Sequence, residues 1–354
     1  MASCQAKAST LRGHTAPVLA LATGPLTSRD KDFTNPRSLL LSGSEDSTVR
    51  LWDLNSNKPV RCMMGCFEKN PINSVCFTPG NPNLIFAAAG KAVYGFDLRK
   101  ESVVLMKADK EFKYNSDDIN QIQVNRKGKL LAACDDSGGI NIIDIGTSEG
   151  KVVRELQDQE KSICMSVQFR PRSAWELASA SLGLQDAIVQ WDISKGRALR
   201  KYQNAFEKSK KDGDEKQKQQ VVNPPFANSI SFSRDGHTVA AGLGNGSVAL
   251  YNFKSKRGGE AILGSLEGHS SSVCQVEFPA FGDTRDLVSC GNDQTVVLWK
   301  LHAENKKDDN GSLGSAKARI ALPEKPNWIT TTSFNSACIC VADCSTVIKV
   351  MTIR

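Results

Sequence analysis

An internal repeat is the feature that most constrains what this chain can fold into. Each copy has an alternating apolar stretch, a turn, small residues, a turn near Asp or Asn, and a β-branched stretch with an aromatic or acidic end. Alternating apolar stretches that are bounded by Gly, Asn, Asp and Pro predict short β-strands and exclude helical solenoids. A spacing of roughly 44 to 60 residues favours one closed repeat architecture over separate domains. The two clearest copies run from Gly13 to Asp53 and from Gly268 to Lys300, and five weaker copies end at Asp97, Asp144, Asp192, Asn252 and Met351.

The Gly-His pairs at the start of the two clearest copies, and the Trp or Trp-Asp at their ends, resemble the WD-repeat family over almost the whole chain. The resemblance implies an all-β fold, a single seven-bladed β-propeller of WD repeats over residues 1–354. It also implies that residues 6–12 complete the last blade, because the last copy has only three strands and these residues have no blade of their own. Pairing the two ends of the chain within one blade would remove an unpaired strand edge. Three stretches, "LLAACDDSGGINIIDI", "VQFRPRSAWEL" and "NWITTT", match one member of the family more closely than the rest.

Composition limits the cellular setting and the partners that we expect. No run approaches 18 apolar residues and the first residues lack the apolar core of a secretory signal, so neither a membrane span nor secretion is expected. Eleven cysteines, an odd number placed mostly in strand-like runs, favour a reduced cytoplasmic or nuclear protein. The chain carries 45 Lys and Arg against 38 Asp and Glu. Residues 195–220 supply most of that surplus, so the net charge does not indicate direct binding to nucleic acid.

Two polar segments, 201–225 and 302–319, are predicted to be loop insertions between blades. The first is Lys-rich and ends in Pro-Pro. An alternative for this first segment is a nuclear-import or acidic-partner sequence, although its basic run is short and is broken by Asp212. We favour solvated loops for both.

Ser, His and Asp recur in a pattern that could suggest a hydrolase. Both sets lie at the same phase of the repeat, however, and each has a Trp as its fourth member. In WD-repeat proteins this phase forms a structural network in which the Asp orients the His, and buried polar groups need such partners. We therefore predict no catalytic residue and no enzyme activity. The predicted network residues are His14, Ser42, Asp46 and Trp52 in the first copy, and His269, Ser289, Asp293 and Trp299 in the sixth.

Neither a metal site nor a cofactor site is predicted. "CICVADC", Cys338 to Cys344, has no nearby His, and a structural zinc site needs four Cys or His ligands in paired spacings. We interpret these residues, together with Cys62 and Cys66, as core cysteines. "GLGNG", Gly242 to Gly246, fits a hairpin turn and opens no helix, which argues against a dinucleotide loop.

The second copy is degenerate but keeps a charged ending. Lys91 replaces the turn Asp and Phe96 replaces the Trp, yet the copy ends in Asp97-Leu98-Arg99. A residue just past the third strand of a blade lies in the loop to the outer strand. We therefore expect Arg99 on the face opposite the His-containing turns, where an Arg held by Asp97 would offer a planar, charged fork to carboxylates or carbonyls.

Within the WD-repeat family, a blade ending in aromatic-Asp-aliphatic-Arg resembles the box by which substrate receptors dock on the damaged-DNA-binding adaptor of cullin-RING ubiquitin ligases. The resemblance implies a non-catalytic substrate receptor that contacts the adaptor through Asp97 and Arg99. The second copy lacks the turn Asp of the full box, and the first copy has nearly the whole box but ends in Asn55. Two alternatives stay open: an ordinary solvated Arg, and a general scaffold of a nuclear or cytoplasmic complex with no ligase link.

Overall fold

The computed structural model describes residues 7–24, 38–147, 149–157, 161–183, 187–202, 224–254, 261–302, 312–333 and 336–353. In these ranges the chain forms 29 β-strands. No helix in the described ranges is long and apolar enough to cross a membrane. The first ten strands are β1 (Lys7–Arg12), β2 (Val18–Thr23), β3 (Leu39–Ser44), β4 (Val49–Asp53), β5 (Lys58–Met63), β6 (Ile72–Thr78), β7 (Asn81–Ala89), β8 (Ala92–Asp97), β9 (Val104–Leu105) and β10 (Lys110–Phe112).

The remaining strands continue the same order around the ring. They are β11 (Ile119–Val124), β12 (Leu130–Asp135), β13 (Gly139–Asp144), β14 (Lys151–Gln157), β15 (Cys164–Phe169), β16 (Glu176–Ser181), β17 (Ile188–Asp192), β18 (Arg197–Tyr202), β19 (Ala227–Phe232), β20 (Thr238–Leu243), β21 (Ser247–Asn252), β22 (Ile262–Glu267), β23 (Val273–Glu277), β24 (Asp286–Gly291), β25 (Thr295–Leu301), β26 (Gly314–Ala321), β27 (Pro326–Thr332), β28 (Cys338–Asp343) and β29 (Val347–Thr352).

The strands form seven antiparallel sheets, which confirms the predicted seven-bladed β-propeller. Six sheets have four strands, and the sheet of blade 1 has a fifth, β9, at its outer edge. In blade 2 the outer position is taken by the short strand β10, in the order β10-β8-β7-β6. Strand alternation makes each sheet apolar on both faces, so each blade must pack against two neighbours.

Seven apolar clusters fill the seven interfaces between blades. The cluster between blades 1 and 2, for example, joins Val49 and Leu51 to Tyr94 and Phe96. At about 25 cal/mol per Å² of apolar area, this burial is the main favourable contribution to folding. Because the clusters form a ring, the arrangement of one blade is fixed by both of its neighbours.

The ring is closed by a strand from near the start of the described chain. β1 pairs with β29 in antiparallel register from Lys7 with Thr352 to Arg12 with Val347. Leu11 of β1 is buried in the cluster between blades 7 and 1. The outer edge of blade 7 is therefore a strand that is distant in sequence from the rest of its sheet.

The prediction of a loop over 302–319 is wrong for its last six residues. β26 starts at Gly314 and pairs with β25 as the outer strand of blade 6. β26 lacks the pattern of alternating apolar residues that predicts a strand. Its sequence is rich in Ala and charged residues, because the outer strand of a blade has one solvated side. Residues 303–311 lie outside the described residues. So do residues 203–223 of the other predicted insertion, whose first residues, Lys201 and Tyr202, belong to β18.

The first strands of the blades surround a central channel with two different faces. The turn between the second and third strands lies at one end of each sheet, and the loop that follows the third strand lies at the other. We call the first the His14 face, because it holds His14 and the turn with Asp46. We call the second the Arg99 face, because Arg99 lies two residues past the end of the third strand of blade 2.

Candidate functional site

The structure brings the four predicted network residues of blade 1 together. His14 Nδ1 lies 2.9 Å from Asp46 Oδ2, and His14 Nε2 lies 2.7 Å from Ser42 Oγ. Trp52 Nε1 donates to Ser42 Oγ at 2.8 Å. A proton on Nδ1 satisfies every partner, since Asp46 then accepts from the His, and Nε2 accepts from the Ser42 hydroxyl.

Blade 6 contains the same network. His269 Nδ1 lies 2.9 Å from Asp293 Oδ1, and His269 Nε2 lies 2.7 Å from Ser289 Oγ. Trp299 Nε1 donates to the same Ser289 oxygen at 2.8 Å. Burial lowers the pKa of His269 below its ordinary value, although the hydrogen bond to Asp293 opposes this effect. The neutral imidazole is therefore the favoured form in the folded protein.

The Asp of each network is ionised and firmly bound. Burial opposes the charge of Asp46, but hydrogen bonds from His14, Thr48 and the backbone N–H of Thr15 hold its pKa below the ordinary value. Such charge-assisted bonds are stronger than neutral ones. The carboxylate thereby joins the loop before β2 to the β3–β4 turn.

The Asp-His-Ser geometry resembles that of a hydrolase, but the serine is inaccessible. Ser42 and Ser289 have no solvent-exposed surface. A nucleophile must reach a substrate carbon, and each serine oxygen already accepts from a Trp indole. The arrangement can hold the blade together but cannot attack a substrate in this state.

Asp97 and Arg99 lie side by side at the end of β8. Arg99 Nε donates to Asp97 Oδ1 at 3.0 Å, and Nη2 donates to Oδ2 at 2.5 Å. The side chain of Arg99 is nevertheless 72% exposed. Its hydrogen bond to Asp97 is the largest of the effects that hold the pKa of this carboxyl below its usual value. The guanidinium is thus both oriented and open to solvent.

The segment around this pair is anchored at three points. The buried Leu98 donates its backbone N–H to the Asn83 carbonyl at 2.7 Å. Asp109 accepts from the backbone N–H of Asp97 at 2.8 Å and forms an ion pair with Lys100. The position of Arg99 on the Arg99 face therefore depends on the blade and not only on Asp97.

Asp97 also serves its own turn, which sequence reasoning missed. Its Oδ1 accepts the backbone N–H two residues later, that of Arg99, at 2.9 Å. Asp and Asn commonly stabilise turns in this way. The same cap occurs after the third strands of other blades, at Asp53, Asp144 and Asn252. The turn therefore accounts for Asp97. It uses only the backbone N–H of residue 99, so it does not require an arginine side chain there.

The chain after Arg99 makes an unexpected crossing to blade 1. β9 pairs in parallel with β5, and Val103 and Leu105 accept backbone hydrogen bonds from Cys62 and Met64. We call residues 99–109 the strap. Together with the end of β5 it leaves apolar side chains exposed at the outer edge of blade 1, toward the His14 face: Met64, Val103, Val104 and Met106.

The cysteine and glycine motifs are placed as follows. Cys340 is buried, Cys338 is half-buried and Cys344 is exposed. In the ranges that the structure describes, no three His, Cys, Asp or Glu side chains are grouped as metal ligands. Gly246, with φ of 90°, lies in the turn between β20 and β21, where a left-handed backbone favours glycine.

Comparisons with known proteins agree with this architecture. Residues 5–53 and 261–300 match the WD40 family, described as WD domain, G-beta repeat. The crystal structure of the WD40 β-propeller domain of Doa1 superposes with a TM-score of 0.69 at 17% identity, covering 97% of this chain and 95% of that one. At this identity the likeness concerns the fold alone. The class is thus that of WD-repeat β-propellers, which are generally non-catalytic interaction scaffolds.

Sequence comparison identifies a particular family within the class of WD-repeat proteins. The chain is 30% identical over 339 residues to the WD repeat-containing protein 53 homolog of Dictyostelium discoideum, and the match covers 90% of each protein. It is 24% identical over 277 residues to the WD repeat-containing protein 91 homolog of the same organism, covering 76% of this chain but 32% of that protein. The chain belongs to the family of WD repeat-containing protein 53.

Proposed function

We propose that this protein is a substrate receptor that docks on the damaged-DNA-binding adaptor of a cullin-RING ubiquitin ligase through its Arg99 face. The observation that carries the proposal is the Arg99 guanidinium, which Asp97 orients while most of it stays exposed. In the described part of the chain, Nη1 of Arg99 makes no hydrogen bond, so its donors are free for a carboxylate or a cluster of carbonyls.

The outer edge of blade 1, which the strap reaches after Arg99, also has side chains typical of a protein interface. Exposed apolar side chains of the strap, Val103 and Met106, follow Arg99 closely in the chain. Protein interfaces are enriched in Arg and Met, and a few such anchors supply most of the binding free energy. The opposite His14 face would stay free for the protein that is to be ubiquitinated.

Co-purification from cells tests the proposal. Arg99→Ala should raise the Kd for the adaptor by roughly thirtyfold, which corresponds to about 2 kcal/mol for a charged anchor, and so reduce its recovery. Arg99→Lys should restore only part of the binding, because the planar fork is lost. Lys254→Ala is a matched control, since Lys254 is an exposed cation at the same position after the third strand of blade 5. Thermal melts of all three variants should equal that of the wild type.

The competing function is a general scaffold with no ligase link. It predicts equal adaptor recovery from wild type and Arg99→Ala, or no recovery from either. The blade itself uses only the backbone of Arg99, so this outcome would leave Arg99 as a solvated turn residue.

A further inference from the structure

Polar side chains join the first strands of successive blades near the Arg99 face. Gln123 Oε1 accepts the backbone N–H of Phe169 at 2.6 Å, and Gln168 Oε1 accepts that of Phe232 at 3.2 Å. Ser231 Oγ accepts the backbone N–H of Phe278 at 3.0 Å. All three acceptors are neutral, so the bond between blades needs no charge.

Glu277 makes the same bond from blade 6 to blade 7. A single oxygen, Oε1, accepts the backbone N–H of Thr331 at 3.1 Å and the Thr331 hydroxyl at 2.6 Å. A glutamine would supply this acceptor equally well, as Gln123 and Gln168 do. The hydrogen bonds between blades 6 and 7 therefore do not require the negative charge of Glu277.

The carboxylate of Glu277 lies in a cavity that no cationic side chain of the described residues lines. The cavity, of about 440 Å³, is the part of the channel nearest the Arg99 face, where the first strands end. Its other polar lining includes Gln121, Gln275 and Thr330, and no Lys, Arg or His among the described residues lines it. Burial raises the pKa of Glu277 to about 7, against hydrogen bonds from Thr331 and Thr330. The Glu277 side chain is half-buried, and a carboxylate partly withdrawn from water is costly unless a cation pairs with it.

We propose that this end of the channel is a binding site for one primary ammonium group, which pairs with Glu277 and donates to neighbouring amide and hydroxyl oxygens. Both a free alkylamine and a lysine side chain of a partner protein present this chemistry. The proposal is independent of adaptor docking, because it concerns the channel interior and not Arg99.

A thermal melt with n-butylammonium chloride tests the site, with sodium chloride at equal ionic strength as the reference. At pH 8 we expect the wild-type melting temperature to rise by about 3 °C at a saturating concentration. Glu277→Gln should abolish the rise, because it keeps the structural acceptor and removes the charge. Tetramethylammonium, which has no N–H donor, should give a smaller rise.

Asp53→Asn is the matched control variant. It removes one carboxylate from the Arg99 face but keeps a turn cap, as Asn252 does in blade 5. This variant should respond to butylammonium as the wild type does. An acetylated, amidated Gly-Gly-Lys-Gly-Gly peptide separates the two sources, since a shift with the free amine alone would assign the site to small amines.

Lowering the pH to 5.5 should remove the butylammonium shift, because Glu277 becomes protonated while the amine stays charged. The neighbouring thiols Cys76, Cys290 and Cys340 all have pKa values that burial raises, so they stay protonated throughout. An equal shift in wild type and Glu277→Gln, or no shift in the wild type at pH 8, would overturn the proposal.

Discussion

Each Trp of the two networks ends a chain of hydrogen bonds that begins at a carboxylate. Trp299→Ala should lower the free energy of unfolding by about 3–5 kcal/mol, because it leaves a large cavity in the cluster between blades 5 and 6. Trp299→Phe keeps most of the apolar volume and loses the bond to Ser289, so it should cost less, about 1–2 kcal/mol. Urea unfolding followed by fluorescence and circular dichroism measures both. Unchanged midpoints would mean that the network does not stabilise the blade.

Glu277 predicts an unusual dependence of stability on pH. Its pKa is about 7 in the folded protein and about 4.5 in the unfolded chain, so its contribution to stability is complete below pH 4.5 and is lost as the pH rises through 7. Glu277→Gln should therefore be more stable than the wild type at pH 8, by roughly 1–2 kcal/mol after allowing for water in the channel. Near pH 4.5 the two should converge, and a constant difference between them in urea titrations would contradict the assignment.

At the scale of strands, the sequence predicts the inner three of each blade better than the outer one. Inner strands are buried on both faces, so their alternation of β-branched and small residues is visible in the sequence. The outer strand β26 is half-solvated and polar, and β9 has only two residues and pairs with another blade. Asp97 and Arg99 stand out as candidates because the sequence shows an aromatic-Asp-aliphatic-Arg ending. Glu277 was missed, because one acid in "VCQVEF" has no sequence partner to mark it.

β9 offers a test of the strap. In its parallel register the N–H of Leu105 points toward Cys62, whereas the N–H of Val104 points away from β5. Leu105→Pro should therefore detach the strap and make residues 99–109 sensitive to brief proteolysis, while Val104→Pro should leave them protected. Mass spectrometry of the fragments locates the cuts. Equal resistance of both variants would show that β9 is not needed to hold the strap.

For the whole molecule, closure of the ring depends on six residue pairs between β1 and β29. Deleting residues 1–12 should expose the edge of β29 and remove buried Leu11, giving a lower melting temperature and concentration-dependent aggregation. Light scattering and thermal melts measure these effects. Deleting only residues 1–6 is the control, and it should behave as the full chain does. A monomer with an unchanged melting temperature after the longer deletion would show that the pairing is dispensable.

The same pairing sets an order for folding during synthesis. About 335 residues separate Arg12 from its partner Val347. At ~5–20 residues per second, the ribosome needs roughly 15 to 70 s to cover that distance. Blades 1 to 6 can form as they emerge, but β1 must wait as an unpaired strand until β29 has emerged. Newly made chains therefore pass through an open ring, and a chaperone that recognises unpaired strands has its longest opportunity at β1.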